Sequence, residues 1–131
     1  MDNIKSIDPK YWGYEAWNFL FAIALTYDVS QKNEYKNFFN QLQYVLPCDS
    51  CKIHYTENLK SFTDDVLDSK ENLLNWLTTI RNKIYVFQHN NNKQKTLKDN
   101  IDLIYNKNFN YGYILLFVFI VIIFLYIVFN K

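Results

Sequence analysis

Two cysteines stand three positions apart in Pro47-Cys48-Asp49-Ser50-Cys51, and the chain holds no others. Thiols at this spacing can close a small disulfide or share a metal ion. A framework of structural disulfides would need more cysteines, spread along the sequence. A bridge between such near neighbours closes a short loop and restricts the unfolded chain little. The pair therefore reads as chemical equipment. His54 and His89 would complete a Cys2His2 metal set on paper, but their spacing differs from that of zinc fingers. Redox use ranks above zinc. A thioredoxin-like unit would need a strand–helix–strand pattern around the pair, and none is present.

Pro47 is expected to open a short helix whose first turn holds both cysteines. The positive end of a helix dipole favours thiolate over thiol. Cys48 is expected to be the more exposed sulfur and Cys51 to point inward, so that one exchanges with a substrate and the other passes electrons on. With no further cysteines to act as a shuttle, the acceptor would be a bound cofactor or another protein. The chain lacks a GxGxxG loop, which excludes a dinucleotide-binding Rossmann unit. Any cofactor would sit between helices, among aromatic and polar side chains. Aromatic residues make up 19% of the chain, enough to supply stacking surfaces. His54 is a partner able to favour a thiolate, or simply a half-exposed helix residue.

The elements that must carry these residues read as helices, because two glycines and two prolines leave few breaks. Asp8-Pro9 starts the first, with Asp as N-cap and Pro at the first helical position. Trp12, Ala16, Phe19, Leu20, Ile23 and Tyr27 then follow at helical steps. Asp28 to Ser30 reads as a turn. A second helix runs from about Asn33 to Leu46, with Phe38, Leu42 and Val45 on one side. From Ser69 to Gln88, Leu73, Leu77, Ile80 and Ile84 form an apolar stripe. Asn90 to Asn92 reads as a turn, and Thr96-Leu97-Lys98-Asp99 resembles a capping box ahead of a short last helix.

Residues 112–129 read GYILLFVFIVIIFLYIVF, without charge or proline. Eighteen helical residues span about 27 Å, close to the hydrocarbon thickness of a bilayer. Tyr111, Tyr113 and Tyr126 suit the interface. The amino terminus has no apolar run and so no signal peptide is expected. The expectation is a soluble domain over 1–108 and an anchor over 109–131, tail-anchored in one pass with the domain cytosolic. Residues 1–108 carry 13 basic and 13 acidic side chains, so nucleic-acid binding has no support.

Three blocks resemble one family. Trp12-Gly13-Tyr14-Glu15-Ala16-Trp17-Asn18-Phe19-Leu20, with Ala24 and Tyr27, is similar to the first motif of the Erv/ALR FAD-linked sulfhydryl oxidases. Pro47-Cys48-x-x-Cys51-x-x-His54-Tyr55 resembles their redox segment. Trp76-Leu77 with Arg81-Asn82-Lys83-Ile84 stands where the family carries W…HNxVN. Order and spacing agree over about residues 8 to 106, and the small size resembles the mimivirus-like members of large DNA viruses.

The resemblance implies an all-α fold: a four-helix bundle with a short fifth helix, followed by the transmembrane helix. It implies an FAD-dependent thiol oxidase that forms disulfides in protein substrates. Electrons would pass from a dithiol through Cys48–Cys51 to FAD and then to oxygen, giving hydrogen peroxide. Cys48 and Cys51 would be catalytic, and Trp17, Tyr27, His54, Arg81 and Asn82 would contact the cofactor. A thioredoxin-like carrier is a plausible dithiol partner, a homodimer is the family's usual form, and the anchor is expected in a host-cell or virion membrane. The chain departs from the pattern at three positions. Phe21 and Arg81 replace histidines and Tyr85 replaces an asparagine, which implies weaker FAD contacts. Arg81 flanks the apolar stripe and so either meets a flavin diphosphate or lies at a rim with its head in water. The alternative function is a non-catalytic, membrane-anchored helical interaction module whose cysteines bind zinc or stay reduced.

Overall fold

The computed structural model describes residues 6–87, 91–106 and 116–122, and every regular element among them is helical. Five α-helices, α1 (Gly13–Leu25), α2 (Lys32–Val45), α3 (Asp49–Leu59), α4 (Lys70–Phe87) and α5 (Leu97–Asn106), precede a further helical stretch at 116–122 among the described residues. Short 3-10 turns precede four of them, at Pro9–Tyr11, Val29–Gln31, Asp64–Leu67 and Asn91–Lys93.

Local chemistry accounts for most of the starts. The Asp8 carboxylate accepts from the Lys10 N–H at 3.0 Å and caps the first 3-10 turn. That turn separates Asp8-Pro9 from α1 proper, which begins only after Trp12. Asp28 accepts from both the N–H and the hydroxyl of Ser30. At α5 the expected box forms reciprocally: Thr96 N–H donates to Asp99 at 2.8 Å, and Asp99 N–H donates to the Thr96 hydroxyl at 3.1 Å. The turn at 64–67 had no counterpart in the sequence reading. It buries Val66 and Leu67.

The core lies where α1 packs on α4 and α5 and where α2 packs on α3. Phe21, Ala24, Phe39, Leu67, Leu73, Leu77 and Ile80 are fully or nearly fully buried within it. On α4, Leu73, Leu77 and Ile80 are buried as expected and Leu74 and Trp76 join them, whereas Ile84 is only half-buried. Two expected faces shift. On α1, Phe19 is 62% exposed, because Leu20, Phe21 and Ala24 are the residues turned to the core. On α2, Val45 is exposed, and Phe39, Leu42 and Leu46, at steps of three and four, make the inward side.

Around Trp76 the rings of Phe39, Phe62 and Tyr55 lie at 5.8, 4.5 and 6.5 Å between centroids. The indole N–H donates to the Ser61 hydroxyl at 3.1 Å. Such pairs each contribute roughly 0.5–1.5 kcal/mol beyond the area they bury.

Among the described residues no helix is long and apolar enough to cross a membrane. Most of the expected span at 112–129 lies outside the described residues. Its described part, 116–122, is helical, and its apolar side chains are all exposed.

Candidate redox site

The corner between α2 and α3 is built by Pro47. A residue ahead of proline is driven to extended backbone, and Leu46 has ψ 134°. The chain is still extended at Cys48, so α3 starts at Asp49 and Cys48 becomes its N-cap. This corrects the expectation that Pro47 begins the helix and both cysteines lie in its first turn. The Cys48 sulfur accepts from the Cys51 N–H at 3.2 Å and lies 3.2 Å from the Ser50 hydroxyl. Cys48 and Cys51 are joined in a disulfide, with Cα atoms 5.1 Å apart.

A short strap of chain ties this corner to the start of α1. Ile7 N–H donates to the Pro47 carbonyl at 2.7 Å, and the Trp12 indole N–H donates to the Ile7 carbonyl at 3.2 Å. Cys48, capping the helix beside this strap, is only 4% exposed, whereas Cys51 is half-buried. The expected order of exposure is therefore reversed. The cap position folds the Cys48 side chain back over the helix start, while Cys51 projects from the side of the first turn.

Cys51 projects into a cleft of about 190 Å3. Trp12, Ala16, Trp17 and Leu20 line one wall, Leu42 and Leu46 another, and Ser50, Cys51, His54 and Tyr55 the α3 side, with Ile84 and Phe87 of α4 closing it. The His54 and Phe87 rings meet at 4.4 Å. The Tyr55 hydroxyl donates to the Phe39 carbonyl at 2.9 Å. Burial pushes its phenol well above the usual tyrosine range, so the group stays protonated.

The other expected cofactor residues divide. Trp17 and His54 line the cleft. Tyr27 does not: it is buried, its hydroxyl donates to the Leu67 carbonyl, and its ring packs edge-on against Tyr35 at 4.8 Å. Asn82 is also engaged elsewhere. Its side chain donates to the Lys95 carbonyl at 2.8 Å and accepts from the Lys95 N–H at 2.9 Å, fastening the segment before α5 to α4. His89 lies outside the described residues.

Arg81 is 1% exposed, which rules out the rim position with its head in water. Its guanidinium donates to Asn100 Oδ1 at 2.6 Å and to the Tyr85 hydroxyl at 3.3 Å. The guanidinium carbon lies 5.9 Å from the Trp17 ring centroid and 5.8 Å from those of Phe21 and Tyr85. The three departures noted in the sequence, Phe21, Arg81 and Tyr85, thus form one contact cluster behind the Trp17 wall. Among the described residues no carboxylate pairs with this buried cation, and all its hydrogen-bond partners are neutral. Asn100, fully buried and holding Arg81, was missed from the sequence, where nothing distinguishes it from the chain's other asparagines. Phe87, at the end of α4, was missed for a similar reason.

These residues fit a flat, aromatic, anionic group. The walls are indole and aliphatic faces, a disulfide sulfur forms part of one side, and behind Trp17 sits a buried cation that has no carboxylate partner among the described residues. FAD has a planar ring system and a diphosphate that match both features.

The Erv1 / Alr family model matches residues 14–106. The chain is 40% identical over 84 residues to a probable FAD-linked sulfhydryl oxidase of Acanthamoeba polyphaga mimivirus, covering 60% of this chain and 59% of that protein. It is 26% identical over 87 residues to the mitochondrial FAD-linked sulfhydryl oxidase of Saccharomyces cerevisiae, covering 61% and 46%. A putative FAD-linked sulfhydryl oxidase of Invertebrate iridescent virus 3 is 27% identical over 84 residues, covering 60% and 57%. The chain thus spans roughly half to three fifths of the length of these curated relatives.

Proposed function

The chain belongs to the Erv1/Alr family, and from that premise we propose that it is an FAD-dependent thiol oxidase that forms disulfides in protein substrates. The observation that carries this reading is that Cys51, one half of a disulfide, forms part of the wall of an aromatic cleft. Cys48 exchanges with a substrate thiol, and Cys51 hands the electron pair across the cleft. FAD, when bound, supplies a two-electron acceptor that oxygen reoxidises, with release of hydrogen peroxide. Trp17 and His54 hold the ring system, and Arg81 supplies positive charge toward the diphosphate. Tyr27 and Asn82 serve by fixing the frame. The aromatic and aliphatic walls exclude water from the exchange.

The same reading assigns residues 1–108 to the oxidase domain and 112–129 to a membrane anchor of a host or virion membrane. The anchor is supported by the uncharged sequence there and the exposed apolar helix at 116–122. With no second cysteine pair in the chain, a dithiol partner, such as a thioredoxin-like carrier, meets Cys48–Cys51 directly. The exposed Phe19 on α1 offers an apolar face for a homodimer.

The test is the visible spectrum of the purified protein, followed by oxygen uptake with a dithiol. Flavin absorbance and turnover are expected. Cys51→Ser should keep the colour and lose the turnover. A protein that stays colourless when FAD is added would sink the reading.

A further inference from the structure

We propose that Ser50 is a positioning residue for thiol–disulfide exchange, whose hydroxyl, with the Cys51 N–H, solvates the Cys48 sulfur and stabilises it as a thiolate. This rests on the reading that Cys48–Cys51 exchanges with substrate thiols. The Ser50 oxygen lies 3.2 Å from the Cys48 sulfur. A disulfide sulfur carries no proton, so the hydroxyl is the donor. The Cys51 N–H is the second donor, also at 3.2 Å.

These two donors matter because Cys48 is only 4% exposed. A buried thiolate without donors is disfavoured, and water has little access to replace them here. The charged groups nearby do not supply the need. Asp49 is paired with Lys52 at 3.6 Å, and Asp8 with Lys10 at 3.0 Å on the strap bonded to Pro47. His54 lies one turn further along α3 and faces the cleft, and the last turn of α2 brings only Tyr44 as a titratable group.

The step that benefits is the second of two exchanges. In the first, a substrate thiolate attacks Cys48; a substrate–Cys48 bond forms, the Cys48–Cys51 bond breaks, and Cys51 leaves with the electron pair. In the second, the substrate's other thiolate attacks its own sulfur in that mixed disulfide. The substrate disulfide forms, and Cys48 leaves as a thiolate. The substrate dithiol is oxidised, the protein disulfide is reduced, and the two substrate protons go to solvent. A better-stabilised leaving thiolate departs faster, and Ser50 is placed on that leaving sulfur.

The experiment follows alkylation of Cys48 by iodoacetamide against pH in the full chain carrying Cys51→Ala, which leaves one thiol and keeps the backbone N–H. Adding Ser50→Ala should raise the midpoint by about one pH unit and slow the reaction about tenfold below it. Ser50→Thr should restore the original profile. With both cysteines present, and at a pH above both midpoints where reduced Cys48 is a thiolate, Ser50→Ala should make the disulfide about 30 mV more reducing, the equivalent of that tenfold change for a two-electron couple. An unchanged midpoint, or the same shift in Ser50→Thr as in Ser50→Ala, overturns the assignment. Alkylation needs neither flavin nor substrate, so that result would leave the oxidase reading standing.

Discussion

Two groups of aromatic residues put the same chemistry to opposite uses. Around Trp76, three rings close on the indole from different sides, its N–H has a partner, and 6% of the residue reaches solvent. Around the cleft, Trp12 and Trp17 keep only part of that cover. Trp17 has Phe21 at 6.5 Å and Arg81 behind it, and its remaining face borders open space. The first group fills volume and gains the dispersion and burial that close packing provides. The second forgoes part of that gain and keeps a slot whose walls are already flat. The polar groups differ likewise. At the end of the molecule around Leu67, Tyr27 is bonded to a carbonyl and Lys32 and Lys36 reach Asp68 and Asp64. Behind the cleft, the Arg81 guanidinium has only neutral partners among the described residues. Closed packing marks the first group and an open wall the second.

The contrast can be broken most strongly at the two tryptophans. Trp76→Ala should cost about 3–5 kcal/mol in urea unfolding, the range for emptying a packed aromatic site. Trp17→Ala should cost less than about 2 kcal/mol in the apoprotein and remove bound flavin. Equal losses of stability would mean that the cleft wall is ordinary core. Arg81→Met should have a smaller effect on the apoprotein. Removing a buried charge and orphaning Asn100 Oδ1 oppose each other, leaving a change below about 2 kcal/mol, while flavin affinity falls. Retained affinity, read by titration of the apoprotein, would take Arg81 out of the cofactor site.

The smallest effect belongs to Asp99, which does not line the cleft. The Thr96 N–H, then the Thr96 hydroxyl, hold its carboxyl below the usual range. A carboxyl depressed in the folded state contributes stability above its unfolded pKa, near 3.9, and loses it as pH falls through the folded value. Asp99→Asn should therefore lower the thermal midpoint slightly at neutral pH and converge with the parent in strong acid.

What could be read from the sequence was local. Asp8-Pro9 and Thr96–Asp99 announce helix starts, and Asp28 a turn, because the capping atoms lie within three residues of their targets. The α4 stripe was legible because its period is intrinsic to a helix. The hydrogen bonds of Tyr27 and Asn82 could not be read for the opposite reason, since their partners stand 40 and 13 positions away. The exposure of the cysteines was misjudged because Pro47 delays the helix by extending the residue before it. Arg81 offered two readings, and only the packing of α5 through Asn100 removed the solvated one.

The strap at Ile7 also bears on how the protein can be extended. Because its backbone bonds to Pro47 on one side and to Trp12 on the other, a peptide joined directly at Ile7 in place of residues 1–6 starts at the corner that carries the disulfide. A cysteine-bearing peptide fused there through a short flexible linker would meet the pair at an effective concentration on the order of millimolar. Weak substrates could thus be presented by tethering, and a bulky group joined directly at Ile7 would crowd the approach to Cys48.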